Sequence, residues 1–398
     1  MTAPWTLSAR WIFPVDRDPI PGGTITIRDD RILAVEAKGQ RQADEDLGNV
    51  AILPGLVNAH AHLDLSSLRG LIPPTSDFAA WLRQVVNHRR TMSPDQVQLA
   101  IQAGLAESLR FGTTLLGDIS SQGQSWQTLV HTPLRAVVFH EILGLPADRA
   151  SQTWEGVLEW LRACNNSESC RQGLSPHAPY SVRHSLFEKS ATIRCPLAIH
   201  LAETRAELEL LQHRTGPFVE FLKELGAWDP QGLAQSPQQV VDFFRGLNVL
   251  WIHANYLDPE TKLGAGHTIV YCPRTHAAFG HSPHPFREFL SRGIRVALGT
   301  DSLASNPDLD VLAEARFVHR HYPDVPGETL LRMATLWGAE ALGWNDETGS
   351  LTADKSADLI VLPLPDQHPA DPHDLVFGSE SRVKRVMFRG TWIGEPGV

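Results

Sequence analysis

Two histidines one residue apart, His60 and His62, close the apolar run Ile52-Leu53-Pro54-Gly55-Leu56-Val57-Asn58-Ala59. Side chains at i and i+2 of a strand leave the same face, about 7 Å apart at the backbone, so two imidazoles there can share one metal ion. Alone, the pair is weak evidence. Four further apolar segments end in residues of the same kind: His177 in Ser175-Pro176-His177-Ala178-Pro179-Tyr180, His200 with Glu203 three residues on, His253, and Asp301 in Gly299-Thr300-Asp301-Ser302. Singly, each reads as a hydrogen-bonded structural residue, a turn or a helix cap. Falling in order at the ends of successive apolar segments, they point to one site. Imidazole and carboxylate ligands suit zinc or ferrous iron with a position left open for water, and His60, His62, His200 and Asp301 are the expected set. Such an ion lowers the pKa of water toward neutral. Asp301 can also accept the water proton, Glu203 is placed to carry a proton to the substrate, and His253 can orient the nucleophile. His177 is expected to contact substrate.

These residues need rigid elements that converge. Strand candidates lie at 52–59, 113–118, 135–140, 173–177, 197–200, 248–253, 268–272 and 295–300. Their near-continuous apolar character is what strands buried on both faces require. Helical stretches alternate with them. Ser93-Pro94-Asp95 opens one that runs to about Arg110, with Pro at the first helical position and Gly112 as the stop. Thr204 caps a second, and Asn306-Pro307-Asp308 opens a third that reaches about His319. The pattern predicts an α/β fold, a (β/α)8 TIM-type barrel over residues 55–345, with its active site at the C-terminal ends of the strands. A doubly wound open sheet is the alternative, but no G-x-G-x-x-G follows the first strand. Residues 1–54 and 346–398 read as short strands and turns, with too few apolar residues for separate cores. The two ends are expected to combine into one small β-sandwich domain.

Composition narrows the function. A net charge of −10 with no basic stripe argues against a nucleic-acid partner. No apolar run approaches the ~20 residues that span a bilayer, so no membrane association is expected. Residues 1–13 contain Arg10 and no apolar core of a signal peptide, so a cytoplasmic protein is expected. The four cysteines match no CxxC pattern and are expected to be reduced thiols.

The chain resembles the amidohydrolase superfamily, in the branch of nucleoside- and nucleobase-type deaminases and chlorohydrolases. The resemblance rests on 53–62, Leu68-Arg69-Gly70, Gly112-Thr113-Thr114, 175–180, His200-Leu201-Ala202-Glu203, His253-Ala254-Asn255-Tyr256-Leu257 and 298–302, and covers nearly the whole chain. It implies one divalent metal, zinc first and iron second, on His60, His62, His200 and Asp301, with Glu203, His253 and Asp301 serving catalysis. Two-metal members use a carboxylated lysine on strand four, where this chain offers His177. The implied reaction is hydrolytic deamination of a heteroaromatic amine, with an adenine-bearing nucleoside as the small-molecule substrate, as in S-adenosylhomocysteine/methylthioadenosine and aminodeoxyfutalosine deaminases. Hydrolysis of a cyclic amide or a C–Cl bond is the enzymatic alternative, and an inactive barrel scaffold the non-enzymatic one. A homo-oligomer is a further expectation of the resemblance.

Departures mark the substrate side. His276 stands where relatives usually carry Asn, in the histidine-rich loop 274–284, and is expected to touch substrate. Arg69 and Trp81 belong to a stretch that could stack on a planar ring as a lid; the other reading makes Phe78, Trp81, Leu82 and Val85 the apolar face of a helix. Glu141, ending strand three, is expected to meet a substrate donor, with a surface carboxylate as the alternative.

Overall fold

Eight parallel strands follow one another around a barrel in unbroken sequence order: β1 (Leu56–Ala61), β2 (Thr113–Ser121), β3 (Arg135–Ile142), β4 (Cys170–Pro176), β5 (Leu197–Leu201), β6 (Val249–His253), β7 (His267–Tyr271) and β8 (Arg295–Leu298). The structure is a computed structural model and describes residues 3–394. Each strand is buried on both faces, and successive residues alternate between two clusters. Ala198, Leu250, Ile252, Val270 and Ala297 pack with Val57, Val137 and Phe139. Their neighbours Ile199, Trp251, Ile269 and Leu298 pack with helical residues such as Phe286, Phe289 and Leu330. The ring is closed at the top of β1 and β8, where the carbonyl of His60 accepts from the amides of Thr300 (3.1 Å) and Asp301 (3.0 Å).

The apolar run 52–59 is not one strand. It divides at Gly55. Val50–Pro54 pairs antiparallel with Leu359–Pro363 in an outer sheet, and β1 begins one residue later. Glycine is needed at the break because a Cβ there would lie 1.9 Å from Thr114 Oγ1 on β2.

The chain ends form two facing sheets. One holds Trp5–Ser8, Thr24–Arg28, Arg31–Glu36 and Glu45–Asp46; the other mixes N-terminal strands with Leu359–Pro363, Arg385–Phe388 and Thr391–Trp392. Leu7, Ile25, Ile27, Ile52, Leu359 and Met387 fill the space between them. A buried ion pair between Arg135 of β3 and Asp358 ties this sandwich to the barrel.

Two helices start where their caps predict. Ser93 and Gln96 form a capping box before Pro94–Arg110, and Thr204 caps Arg205–His213. The third begins later than expected, at Val311, with Asp310 as cap. The Asn306 side chain does not cap: its Nδ2 donates to the Thr300 carbonyl (2.7 Å) and to Glu314 (2.6 Å), which fixes the side chain so that its Oδ1 accepts from no backbone amide among the described residues. Among the described residues no helix is long and apolar enough to cross a membrane, and all four cysteines are free.

Candidate active site

The ends of β1, β5 and β8 bring His60, His62, His200 and Asp301 to one buried point. One nitrogen each from His60, His62 and His200 lie within 4.8 Å of one another, as do ligand atoms of His60, His253 and Asp301. Asp301 Oδ1 is 3.5 Å from His60 Nε2 and 3.7 Å from His62 Nε2. Both ring nitrogens of His60 and Nδ1 of His62 are buried without a hydrogen-bond partner among the described residues. Each unsatisfied buried polar atom costs about 1–3 kcal/mol, and the one of these that faces the cluster, His60 Nε2, fits an ion shared with Asp301. Burial, reinforced by neighbouring imidazoles, pushes the pKa of His62 and His200 well below its ordinary value. They are therefore neutral, the form that ligates.

Supporting contacts fix the orientation of these groups. His200 Nδ1 faces the His177 carbonyl at 3.1 Å, which places the proton on Nδ1 and frees Nε2. The Ser305 hydroxyl donates to Asp301 Oδ2 (2.7 Å), leaving Oδ1 for the histidines. Burial opposes ionisation of Asp301, but the His60 contact and the surrounding imidazoles outweigh it and hold the carboxyl below the usual range. The donor set, three imidazoles and one carboxylate, suits a single divalent cation of the zinc type.

Beside this cluster, Glu203 Oε1 lies 3.4 Å from His253 Nε2. Burial, then the charges of Asp301 and Glu207, lifts the Glu203 carboxyl well above its ordinary value, toward its protonated form. Burial pulls His253 down to about 3 against the field of Asp301, so it is neutral. A carboxyl shifted toward its protonated form, beside a neutral imidazole, is suited to giving and taking back a proton.

The backbone here is unusual. Ala202 (φ 51°), His253 (63°), Ala254 (54°) and Asp301 (60°) are left-handed without being glycine. Each such residue costs about 1 kcal/mol or more, and the turns they make aim Glu203, His253 and Asp301 at the same space.

That space has two parts. An inner chamber of about 60 Å³ is bounded by His62, His200, Glu203, His253, Asp301 and Trp81. It shares Leu82, Val85, Arg89, Glu141, His177 and Tyr180 with an outer cavity of about 480 Å³. The outer walls are mainly apolar, among them Leu145, Phe221, Leu222 and Leu225, with Arg90 and Arg149 at the edge.

The profile of the Amidohydrolase family matches residues 51–393. The chain belongs to this family. It is 30% identical over 332 residues to an aminodeoxyfutalosine deaminase from a Nitratiruptor species, covering 80% of each chain. It is also 30% identical over 393 residues to a 5-methylthioadenosine/S-adenosylhomocysteine deaminase from Moorella thermoacetica, covering 92% of this chain and 86% of the relative. Its fold resembles that of a zinc-bound adenosine deaminase from Xanthomonas campestris, with a TM-score of 0.79, 23% identity, and coverage of 98% and 92%.

Within this amidohydrolase site the expected substrate residues divide. His177 and Glu141 line both parts of the cavity. Glu141 is buried, so its surface alternative does not hold; burial opposes its ionisation, but Arg89 at 3.0 Å overrides this and holds the carboxyl at about 2. Trp81 serves both readings, walling the inner chamber while packing against Phe78 and Phe279. Arg69 is turned away: it donates to the Pro307 carbonyl (2.6 Å) and pairs with Glu107. His276 is also held elsewhere, its Nε2 2.9 Å from the Ser282 carbonyl and its ring against Tyr271. Neither is among the described residues that line the two cavities. The histidine-rich loop contributes through His284 instead, whose Nε2 donates to the His253 carbonyl at 2.6 Å.

Arg89 was not expected. It lies on the helix Phe78–Thr91, between Asp64 (2.9 Å) and Glu141 (3.0 Å). Trp81, Val85 and Arg89 are spaced by four, so extending the apolar stripe of that helix by one turn leads to it.

Proposed function

We propose that this amidohydrolase is a metal-dependent hydrolytic deaminase of an adenine-bearing nucleoside. The observation that carries the reading is the buried Glu203 carboxyl, 3.4 Å from His253 Nε2, at the edge of a buried three-histidine, one-aspartate cluster. A divalent ion held by His60, His62, His200 and Asp301, which we take to be zinc as in the Xanthomonas relative, supplies the Lewis acid that makes water nucleophilic near neutral pH. Asp301 Oδ1 receives a proton from the attacking water. Glu203 delivers its proton to the ring nitrogen next to the attacked carbon, so that negative charge does not build up on the ring. His253 Nε2 orients the water against that carbon. Asp301 then passes its proton to the exocyclic amine, which leaves as ammonia, while the new hydroxyl gives its proton back to Glu203 as the carbonyl forms; one water is consumed, one ammonia is released and both carboxyl groups return to their starting states.

The reacting edge of a planar base can enter the inner chamber while the rest of a nucleoside, extended by a largely apolar group, occupies the adjoining outer cavity. Ammonia release from zinc-loaded protein tests the reading, with adenine, adenosine, 5′-methylthioadenosine, S-adenosylhomocysteine and aminodeoxyfutalosine as substrates. The extended nucleosides should have a kcat/KM at least about tenfold above that of adenine. No ammonia from any of them refutes deamination, and a preference for free adenine refutes the assignment of the outer cavity.

A further inference from the structure

We propose that Glu207 is a positioning residue for Glu203, fixing through the backbone the peptide that carries the proton-transfer carboxyl; the kinetic part of this rests on the deaminase reading. Glu207 is fully buried in the first turn of Arg205–His213. Its own amide donates to the Thr204 hydroxyl (3.1 Å), as a capped helix requires. Its carboxylate does something else. Oε1 accepts from the amide of Ala202 (2.9 Å) and Oε2 from the amide of Glu203 (3.1 Å). In an ordinary capping box the third helical residue reaches back to the amide of the cap itself. Here both oxygens pass over Thr204 and hold the loop before it.

That loop needs holding. Ala202 is left-handed, a conformation that an alanine leaves readily, and its departure would rotate the Cα–Cβ bond of Glu203 away from His253. The opposite edge of the same peptides is also bonded: the Asn255 side-chain Nδ2 donates to the Glu203 carbonyl (3.0 Å), and the Tyr256 backbone amide to the Ala202 carbonyl (2.9 Å). Glu203 is therefore gripped at both its N–H and its C=O, with Glu207 supplying the grip from its own helix. Among the described residues no cation pairs with Glu207 within salt-bridge distance, so its burial is unfavourable and a helix cap alone would not require it. Two acceptors for two neighbouring amides are what a carboxylate provides and a glutamine does not.

The test compares zinc-loaded wild type, Glu207→Gln, Glu203→Gln, the double variant, Thr204→Ala and Ala202→Gly. Hydrogen exchange should quicken about tenfold or more at the amides of 202 and 203 in Glu207→Gln, with the rest of Arg205–His213 little changed. With 5′-methylthioadenosine, Glu207→Gln should lower kcat about tenfold or more while KM and zinc content hold. In the Glu203→Gln background the same change should cost less than about twofold, because the residue it positions is already disabled. Thr204→Ala should lower the thermal midpoint yet leave kcat within about 1.5-fold. Ala202→Gly, which frees the backbone without removing a bond and folds even if Glu207→Gln does not, should lower kcat a few-fold, about threefold, at constant KM. Unchanged exchange, multiplicative losses in the double variant, a rise in KM at constant kcat, a Thr204→Ala defect equal to that of Glu207→Gln, or an unaffected Ala202→Gly each overturns the proposal. A wild type that releases no ammonia defeats the deaminase reading, and the exchange comparison then decides the anchoring role separately.

Discussion

Replacing Arg89 by methionine keeps much of the side-chain volume and removes one charge from a buried trio. Arg89 lies 2.9 Å from Asp64 and 3.0 Å from Glu141, and both carboxylates are buried. Glu141 is held at about 2 instead of its ordinary 4.5, which makes its charged form more favourable by about 3 kcal/mol. Breaking one side of a buried ion pair costs about 3–5 kcal/mol by comparison with other proteins, so the two routes agree. Arg89→Met should therefore lower the unfolding free energy by about 3 kcal/mol at pH 7, read by urea denaturation of the zinc-loaded protein. The sign with pH follows from the depressed folded-state pKa of Glu141. Its contribution is fully present above the unfolded value of 4.5 and is lost as pH falls through about 2, so the gap between wild type and variant should close on acidification. The partner supplies the sharper check. Glu141→Gln added to Arg89→Met removes the stranded charge and should recover about half the loss, with Asp64 accounting for the rest. Additive losses from the two substitutions, or a single Arg89→Met change below about 1 kcal/mol, would refute the argument that Arg89 neutralises this wall of the cavity.

Three further outcomes follow from geometry already given. Asp301→Ala removes the carboxylate that faces His60 and His62, so zinc content by elemental analysis should fall well below one equivalent and turnover should vanish. Glu203→Gln leaves those ligands untouched; zinc should stay bound while kcat drops about 10²-fold or more, and near-normal rates would end the proton-transfer role. Gly55→Ala places a methyl 1.9 Å from Thr114 Oγ1, and thermal unfolding should register a loss of about 2–3 kcal/mol as β1 and β2 are forced apart.

The barrel was legible because its strands are apolar throughout and punctuated by helices with good caps. The break at Gly55 was not, since Val50–Pro54 and Leu56–Ala61 carry the same apolar signal and are separated only by a contact with Thr114, far along the chain. The late start of the helix at Val311 has the same origin: Asn306 is a good cap by type, but Glu314 and Thr300 fix its Nδ2, and its Oδ1 then meets no backbone amide among the described residues. The converging residues at strand ends could be read because strand parity and chain order place them. Arg69 and His276 could not, because each is satisfied by a partner that no local pattern announces, Glu107 for one and the Ser282 carbonyl for the other. Arg89 escaped for the converse reason. A charged residue on a helix usually faces water, and only the meeting of Asp64 and Glu141 on other elements makes its burial tolerable.

The joint between β1 and β8 bears on how the protein assembles. The His60 carbonyl accepts both amides that seal the ring, from Thr300 and Asp301, while the His60 ring and the Asp301 carboxylate are two of the four groups facing the common point. Ring closure and ligand assembly are thus one event. A chain emerging from the ribosome carries His60 and His62 early but has no complete site until Asp301 arrives and the last strand docks. An ion bound at that joint acts as a clasp on the seam, and without it the seam is where the barrel should first come undone.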